Sequence, residues 1–234
     1  LTVSLFDDII SSTIEEEDMS IYPSVDNGKI YREITKFIEN QNFVFDIDEL
    51  LTVKQVENLA EDVKFFKIAD CALNIKKNFP KSKRKFIDSK NYDGKLVDYI
   101  PVKEHERLWN ADQKEWLYLI AYSKKVVKIG MTSSGLQSRF SSYNCGTKKA
   151  MIKGSCATTN FVITQANYLA IQKKFDVEIL AYKVPENWTE MRIFGKKQKV
   201  LNKVAHKYES TLIDFYYKKT QKMPPLCSAS GPTE

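Results

Sequence analysis

The chain has 234 residues, 43% hydrophobic and 28% charged, a balance typical of a folded globular protein and unlike that of disordered or low-complexity sequence. No apolar run reaches the roughly 18 residues of a membrane-spanning helix, and the opening LTVSLFDDIISS lacks the basic start of a secretory leader, so a cytoplasmic, non-secreted protein with no membrane partner is expected. The net charge of +6 hides a gradient: 3 Lys/Arg against 12 Asp/Glu in residues 1–50, 14 against 11 in 51–115, and 19 against 7 in 116–234.

In chain order, KIYREITKFIEN places Ile30, Ile34, Phe37 and Ile38 on one helical stripe. A second helix is expected within Asp46 to Leu59, with Thr52 as N-cap ahead of VKQVENLAEDVKFF. FKIADCALNIKKNF continues the apolar periodicity, and PKSKRKFIDSKNYDGK (80–95) reads as a basic loop or linker. Residues 1–110 are therefore expected to be a mainly helical region serving as scaffold, dimerisation surface or DNA reader. Residues 111–234 are expected to form a second domain.

That second part changes character. LYLIAY and VVKIG are strands at hairpin spacing around Ser-Lys-Lys. Ser133 or Ser134 is placed to cap a short helix carrying Leu136, Arg139, Phe140 and Tyr143. FDVEILAYKV alternates as a third strand, and 196–221 carries a long helical pattern with Val200, Leu201, Val204, Tyr208, Leu212 and Phe215 on its apolar side, ending before Pro224 and Pro225. The expected class is α+β, with a small mixed or antiparallel three-stranded sheet flanked by helices. Trp109, Trp116 and Trp188 are expected to pack, and His105 and His206 to sit at the surface or as caps. The four cysteines are far apart with no CxxC, and only two histidines exist, so a zinc site is not expected.

The basic C-terminal half favours a polyanion, most often nucleic acid. Within it, Tyr118 and Lys128 fall on adjacent strands. Arg139 and Tyr143 are four apart on one helix face, and Glu209 is the sole acidic residue between 191 and 213. Phosphodiester hydrolysis needs a deprotonated water, a divalent metal on the non-bridging oxygens, and a cation for the developing charge. Tyrosine, carboxylate, arginine and lysine can fill those posts.

WLYLI, VVKIG, LQSRFSSY and KYES together resemble the GIY-YIG nuclease superfamily over about residues 116–230. Tyr118 stands at the tyrosine of the first motif, with Trp116 and Leu117 in place of Gly and Ile. Lys128, Ile129 and Gly130 stand at the second motif, in a KIG variant similar to the branch found in phage, large-DNA-virus and restriction-type proteins. The resemblance implies a metal-dependent, sequence-specific DNA endonuclease. Tyr118 would help activate the water, and Lys128 would stabilise its phenolate or orient the water itself. Arg139 would meet the scissile phosphate, Tyr143 would relay a proton or orient water, and Glu209 would bind Mg²⁺ or Mn²⁺. A two-fold symmetric recognition site would call for a homodimer.

The chain departs from the pattern in two places. The asparagine that follows the glutamate in many members is absent from MPPLCSASG, where Ser228 is a candidate substitute. The segment NCGTKKAMIKGSCATTN lengthens the stretch between Arg139 and Glu209 and is expected to be a DNA-contacting loop. Lys148, Lys149 and Lys153 in it, with Lys196 and Lys197, are the candidate nucleic-acid-binding residues. The competing reading is a catalytically degenerate nucleic-acid-binding protein that keeps the fold.

Overall fold

A computed structural model describes residues 46–60, 62–74 and 95–227. In chain order these form α1 (Val53–Glu57), β1 (Phe66–Leu73), β2 (Val97–Pro101), α2 (Glu106–Asn110), β3 (Trp116–Tyr122), β4 (Lys125–Thr132), α3 (Leu136–Tyr143), α4 (Lys148–Ile152), α5 (Thr158–Gln172), β5 (Val177–Lys183), β6 (Asn187–Ile193), β7 (Lys196–Asn202) and α6 (Ala205–Thr220). The class is α+β. One antiparallel sheet has the order β2–β1–β5–β3–β4, and β6 and β7 make a separate two-stranded ribbon.

The expected hairpin is β3–β4. Its two-residue turn, Ser123-Lys124, has positive φ at both positions (45° and 71°), the conformation whose twist suits a tight hairpin. All seven residues of β3 are buried, because both faces of the sheet are covered. Tyr118, Ile120 and Tyr122 face one core together with Phe140 and Tyr143 of α3 and Phe161 and Ile163 of α5. Leu117 and Leu119 face a second core with Val56 of α1 and Ala205, Leu212 and Tyr216 of α6. The period-2 alternation of a strand thus feeds two apolar layers.

The sheet has five strands where three were expected. Residues 66–73, expected to continue a helical pattern, are β1, and β2 follows from the end of the supposed linker. A register shift between Lys67 and Ala69 leaves neighbouring Ile68 and Ala69 both buried, so the run loses its alternation and imitates helical spacing. Because β1 pairs with β5, the sheet runs across residue 110. Strands β1 and β2 thus belong to the same sheet as β3, β4 and β5. The helix expected over KIYREITKFIEN and the basic KSKRK lie outside the described residues.

Some local expectations hold and others do not. Thr52 caps α1 through a reciprocal box: its hydroxyl accepts from Gln55 N–H at 3.2 Å, and Gln55 Oε1 accepts from Thr52 N–H at 2.8 Å. Helix α3 also falls on LQSRFSSY, but its N-cap is Gly135 rather than a serine. The long helix expected over 196–221 begins only at Ala205. KKQKVLN is β7, and the helix starts where the Glu115 carboxylate accepts the Val204 and Ala205 N–H groups, at 2.7 and 2.8 Å. Trp109 and Trp116 are buried as expected, whereas Trp188 is 53% exposed. The four cysteines are free, and among the described residues no helix is long and apolar enough to cross a membrane.

Strand β4 is the sheet edge nearest the candidate site, and an open edge must be covered. The chain beyond α6 does this. Leu226 N–H donates to Val127 O at 2.8 Å, and the Cys227 thiol both accepts from Ile129 N–H and donates to Ile129 O, each at 3.3 Å. Burial pushes the Cys227 thiol above its ordinary pKa, which keeps it a donor. Cys227→Ala strips both Ile129 groups and is expected to cost about 1–2 kcal/mol in urea unfolding. Cys227→Ser keeps donor and acceptor and is expected to lose less; equal losses would count against the edge contact.

Candidate active site

The register of the hairpin decides what meets Tyr118. Its cross-strand partner is Gly130. A Cβ at 130 would lie 2.4 Å from Tyr118 Cζ and Oη, so the tyrosine ring lies over β4 in the space glycine leaves open. Phe140 and Tyr143 of α3 close around the ring edge-on, at centroid distances of 5.1 and 6.4 Å. The α3 spacing brings Arg139 to the same place. Its guanidinium carbon is 4.6 Å from the Tyr143 ring centre, and its Nε–H donates to Tyr118 Oη at 3.1 Å. The Tyr118 and Tyr143 hydroxyls are hydrogen-bonded at 2.5 Å. The end of α3 is pinned to α5 by Thr164, whose hydroxyl donates to Tyr143 O at 2.6 Å.

Both tyrosines have 0% exposure, and Arg139 is the half-exposed member. Burial pushes the Tyr143 hydroxyl well above the ordinary phenol range, with Tyr118 adding to the rise and Arg139 opposing it. Burial works against the charge on Arg139, but the two tyrosine oxygens more than offset it and hold the guanidinium above its usual value. The cluster is thus a cation lying over a hydrogen-bonded phenol pair.

Lys128 is placed differently from the expectation that it stabilises a Tyr118 phenolate. It lies opposite Ile120, not Tyr118. It is 6% exposed, and its ammonium donates to Leu226 O at 3.0 Å, turning toward the covered edge of β4. The cation that donates to Tyr118 is Arg139.

Glu209 approaches that edge from α6 on the other face of the sheet. Its carboxyl pKa is raised by burial, against the lowering effects of Lys128, Arg139, a backbone hydrogen bond from Met131 and nearby His206. Val127 and Ile129 along the outer edge of β4 are met by Leu226 and Cys227. Only part of the candidate set is in mutual contact. Tyr118, Tyr143 and Arg139 are in direct contact, and Glu209 sits in the fields of Arg139 and Lys128.

Among the described residues no group of three or more His, Cys, Asp or Glu side chains is gathered for a metal. A lone carboxylate beside a substrate phosphate suits a hard ion that keeps most of its waters, such as Mg²⁺. It does not suit zinc, which needs several nitrogen or sulfur ligands. Glu209 is the residue here that fits such an ion.

The expected DNA-contacting loop is partly helical. Thr147 caps α4 by accepting from Ala150 N–H at 3.2 Å, and the segment then enters α5, whose Phe161 and Ile163 are buried. Of its lysines, Lys149 and Lys153 are exposed and Lys148 is half-buried. Lys196 and Lys197 are exposed on β7.

Sequence reading missed Glu115. It is 1% exposed, adopts φ 62° just before β3, and ties that strand to the start of α6 through Oε2, while Oε1 has no hydrogen-bond partner. The available signal was a carboxylate immediately before an all-apolar strand. Cys227 was missed because nothing local marks an edge-capping thiol.

No protein-family model matches the chain, and no curated protein matches it. Among solved structures, the chain is similar to restriction endonuclease HPY188I in complex with product DNA, at 19% identity over 80% of this chain and 91% of that one, with a TM-score of 0.46. It is also similar to a mutant of bacteriophage T4 EndoII, at 14% identity over 75% of this chain and 97% of that one, with a TM-score of 0.41.

Proposed function

We propose that this protein is a metal-dependent DNA endonuclease of GIY-YIG type that hydrolyses phosphodiester bonds at specific sequences. The observation that carries the reading is the contact of Tyr118, Tyr143 and Arg139 beside a carboxylate, Glu209, in the same electrostatic field. These are the residue types the chemistry needs, drawn from a strand and two helices.

In this reading the half-exposed Arg139 is the first group a phosphate meets. Its planar fork suits two phosphate oxygens and the charge that develops on them. Moving toward the phosphate releases Tyr118 Oη. Tyr143, which burial keeps protonated, donates to Tyr118, and the Tyr118 oxygen takes the proton of the attacking water as its own hydroxyl proton passes to a phosphate oxygen. Glu209 would hold Mg²⁺ or Mn²⁺, which when bound supplies charge neutralisation at the scissile phosphate. Lys128 adds positive charge at the same edge and fixes Leu226. Lys148, Lys149, Lys153, Lys196 and Lys197 are assigned to the DNA backbone. A homodimer would match a two-fold symmetric site, acting wherever the cell keeps its DNA.

A second reading, a degenerate DNA-binding relative without catalysis, is favoured by the complete burial of both tyrosines. Incubation with plasmid and genomic DNA in Mg²⁺, Mn²⁺ or EDTA separates the two. Discrete metal-dependent fragments support a sequence-specific nuclease, and smearing supports an unspecific one. Binding with a steep salt dependence but no cut supports the second reading.

The raised pKa of Glu209 sets a pH dependence. Metal binding needs the ionised carboxylate, so activity falls as pH drops through a value above the ordinary 4.5. Raising Mg²⁺ should move this acid limb to lower pH, because the metal competes with the proton. A limb at or below 4.5, insensitive to Mg²⁺, would remove Glu209 from the metal site.

A further inference from the structure

The β6–β7 ribbon plays no part in either core. It leaves the sheet beyond Lys183, at the end where Trp116 pairs with both Lys183 and Thr132, and the chain then returns into α6 just ahead of Glu209. Apart from Ile193, residues 187–199 are exposed. An isolated two-stranded ribbon is marginal in water, so stability alone does not account for it.

Its composition points to a partner. Arg192, Lys196, Lys197 and Lys199 stand against the single acid Glu190. One face carries Trp188, Arg192, Lys197 and Lys199, with Glu190 opposite Lys199, and the other carries Thr189, Lys196, Gln198 and Asn202. The tip is the sharpest feature. Phe194 and Gly195 form the turn with φ of 48° and 79°. Asn or Gly is at ease at the first of these positions, and a bulky residue is strained there. Yet Phe194 occupies it with its ring entirely in solvent, at 101% exposure, and a Cβ on Gly195 would meet nothing within 4 Å. A phenyl ring held at a strained, free tip above a basic ribbon has the chemistry of a wedge for stacked bases.

We propose that the β6–β7 ribbon is a duplex-DNA arm: it lies in the major groove with its basic side chains on the phosphates and Phe194 pressed into the base stack. The major groove, about 12 Å wide, admits a two-stranded ribbon, and strands of this length extend about 23 Å at roughly 3.3 Å per residue. Apolar wedges that enter from the minor groove unstack and bend duplexes, and a ring carried by a ribbon in the major groove acts on the same stack from the opposite side. The proposal deepens the nuclease reading and rests on it for the identity of the polyanion. A second copy of the chain is the alternative occupant.

The test uses the full chain in EDTA with closed-circular plasmid and a metal-independent topoisomerase. It reads both affinity and the change in linking number on binding. Phe194→Asn suits the turn better than phenylalanine, so it tests the ring without unfolding the ribbon. It is expected to weaken binding by about five-fold or more and to abolish the linking-number change, with an unaltered salt slope. Arg192→Gln/Lys197→Gln is expected to flatten the log–log salt slope by about two. Wild-type affinity and linking-number change in Phe194→Asn would overturn the proposal, as would a loss of self-association in place of a loss of DNA binding. Cleavage in Mg²⁺, measured in parallel, separates the two claims. Cutting with an indifferent ribbon sinks only the arm, and an essential ribbon without cutting sinks only the nuclease.

Discussion

Arg139→Lys lowers metal-dependent DNA cleavage by about two to four orders of magnitude while leaving the protein folded. Lysine keeps the charge but loses the planar fork. In the structure one arm of that fork donates to Tyr118 Oη at 3.1 Å while the guanidinium lies over the Tyr143 ring. An ammonium cannot stack on that ring and engage two phosphate oxygens as the guanidinium does. The Tyr118–Tyr143 hydrogen bond and the packing of both rings on Phe140 do not depend on residue 139, so thermal unfolding should change little. Single-turnover rates beside melting curves check both halves. A lysine variant that cuts at more than half the wild-type rate would reduce Arg139 to a charge at the site.

Gly130→Ala has the larger structural consequence. The added methyl would meet the Tyr118 ring at 2.4 Å. That ring is boxed by Phe140 and Tyr143 and has no exposed side to move toward. Overpacking of this kind costs about 1–3 kcal/mol. The only relief shifts the Tyr118 hydroxyl away from Arg139 and Tyr143. Stability in urea and cleavage are both expected to fall, and cleavage to fall further than the unfolded fraction explains. A neutral Gly130→Ala would show that the ring need not lie over β4. Glycine at 130 is thus the partner that lets a tyrosine sit at 118.

The grouping of the candidate residues Tyr118, Arg139 and Tyr143 was more legible in the sequence than the sheet that carries them. Tyr118, Arg139 and Tyr143 were recoverable because a hairpin and a short helix are local, and spacing within them fixes which side chains meet. Glu209 stood out as an isolated acid in a basic stretch. The position of Lys128 was not recoverable, because a two-residue shift in hairpin register separates a partner of Tyr118 from a partner of Ile120. Strand β1 was hidden by its register shift, which buries Ile68 and Ala69 side by side. Strand β7 was hidden because its Val200 and Leu201 run in helical phase into α6, and the break is imposed by Glu115 from a distant part of the chain. The segment 144–160 was taken for a loop because Gly, Ser, Thr and Lys dominate it, and α5 was missed because its buried face includes the polar Thr164, Gln165 and Asn167. Thr164 and Asn167 are satisfied at long range: Thr164 donates to Tyr143 O at 2.6 Å, and Asn167 accepts from the Tyr122 hydroxyl at 2.9 Å.

The central claim is that Arg139 and Glu209 serve one phosphodiester-cleaving site. The most direct measurement incubates the full chain with supercoiled plasmid in Mg²⁺ and in EDTA, with wild type beside Glu209→Ala and Arg139→Ala. The account predicts Mg²⁺-dependent cutting by wild type, none in EDTA, and loss in both variants with DNA binding retained. No cutting by wild type, or cutting that survives both substitutions, would contradict it.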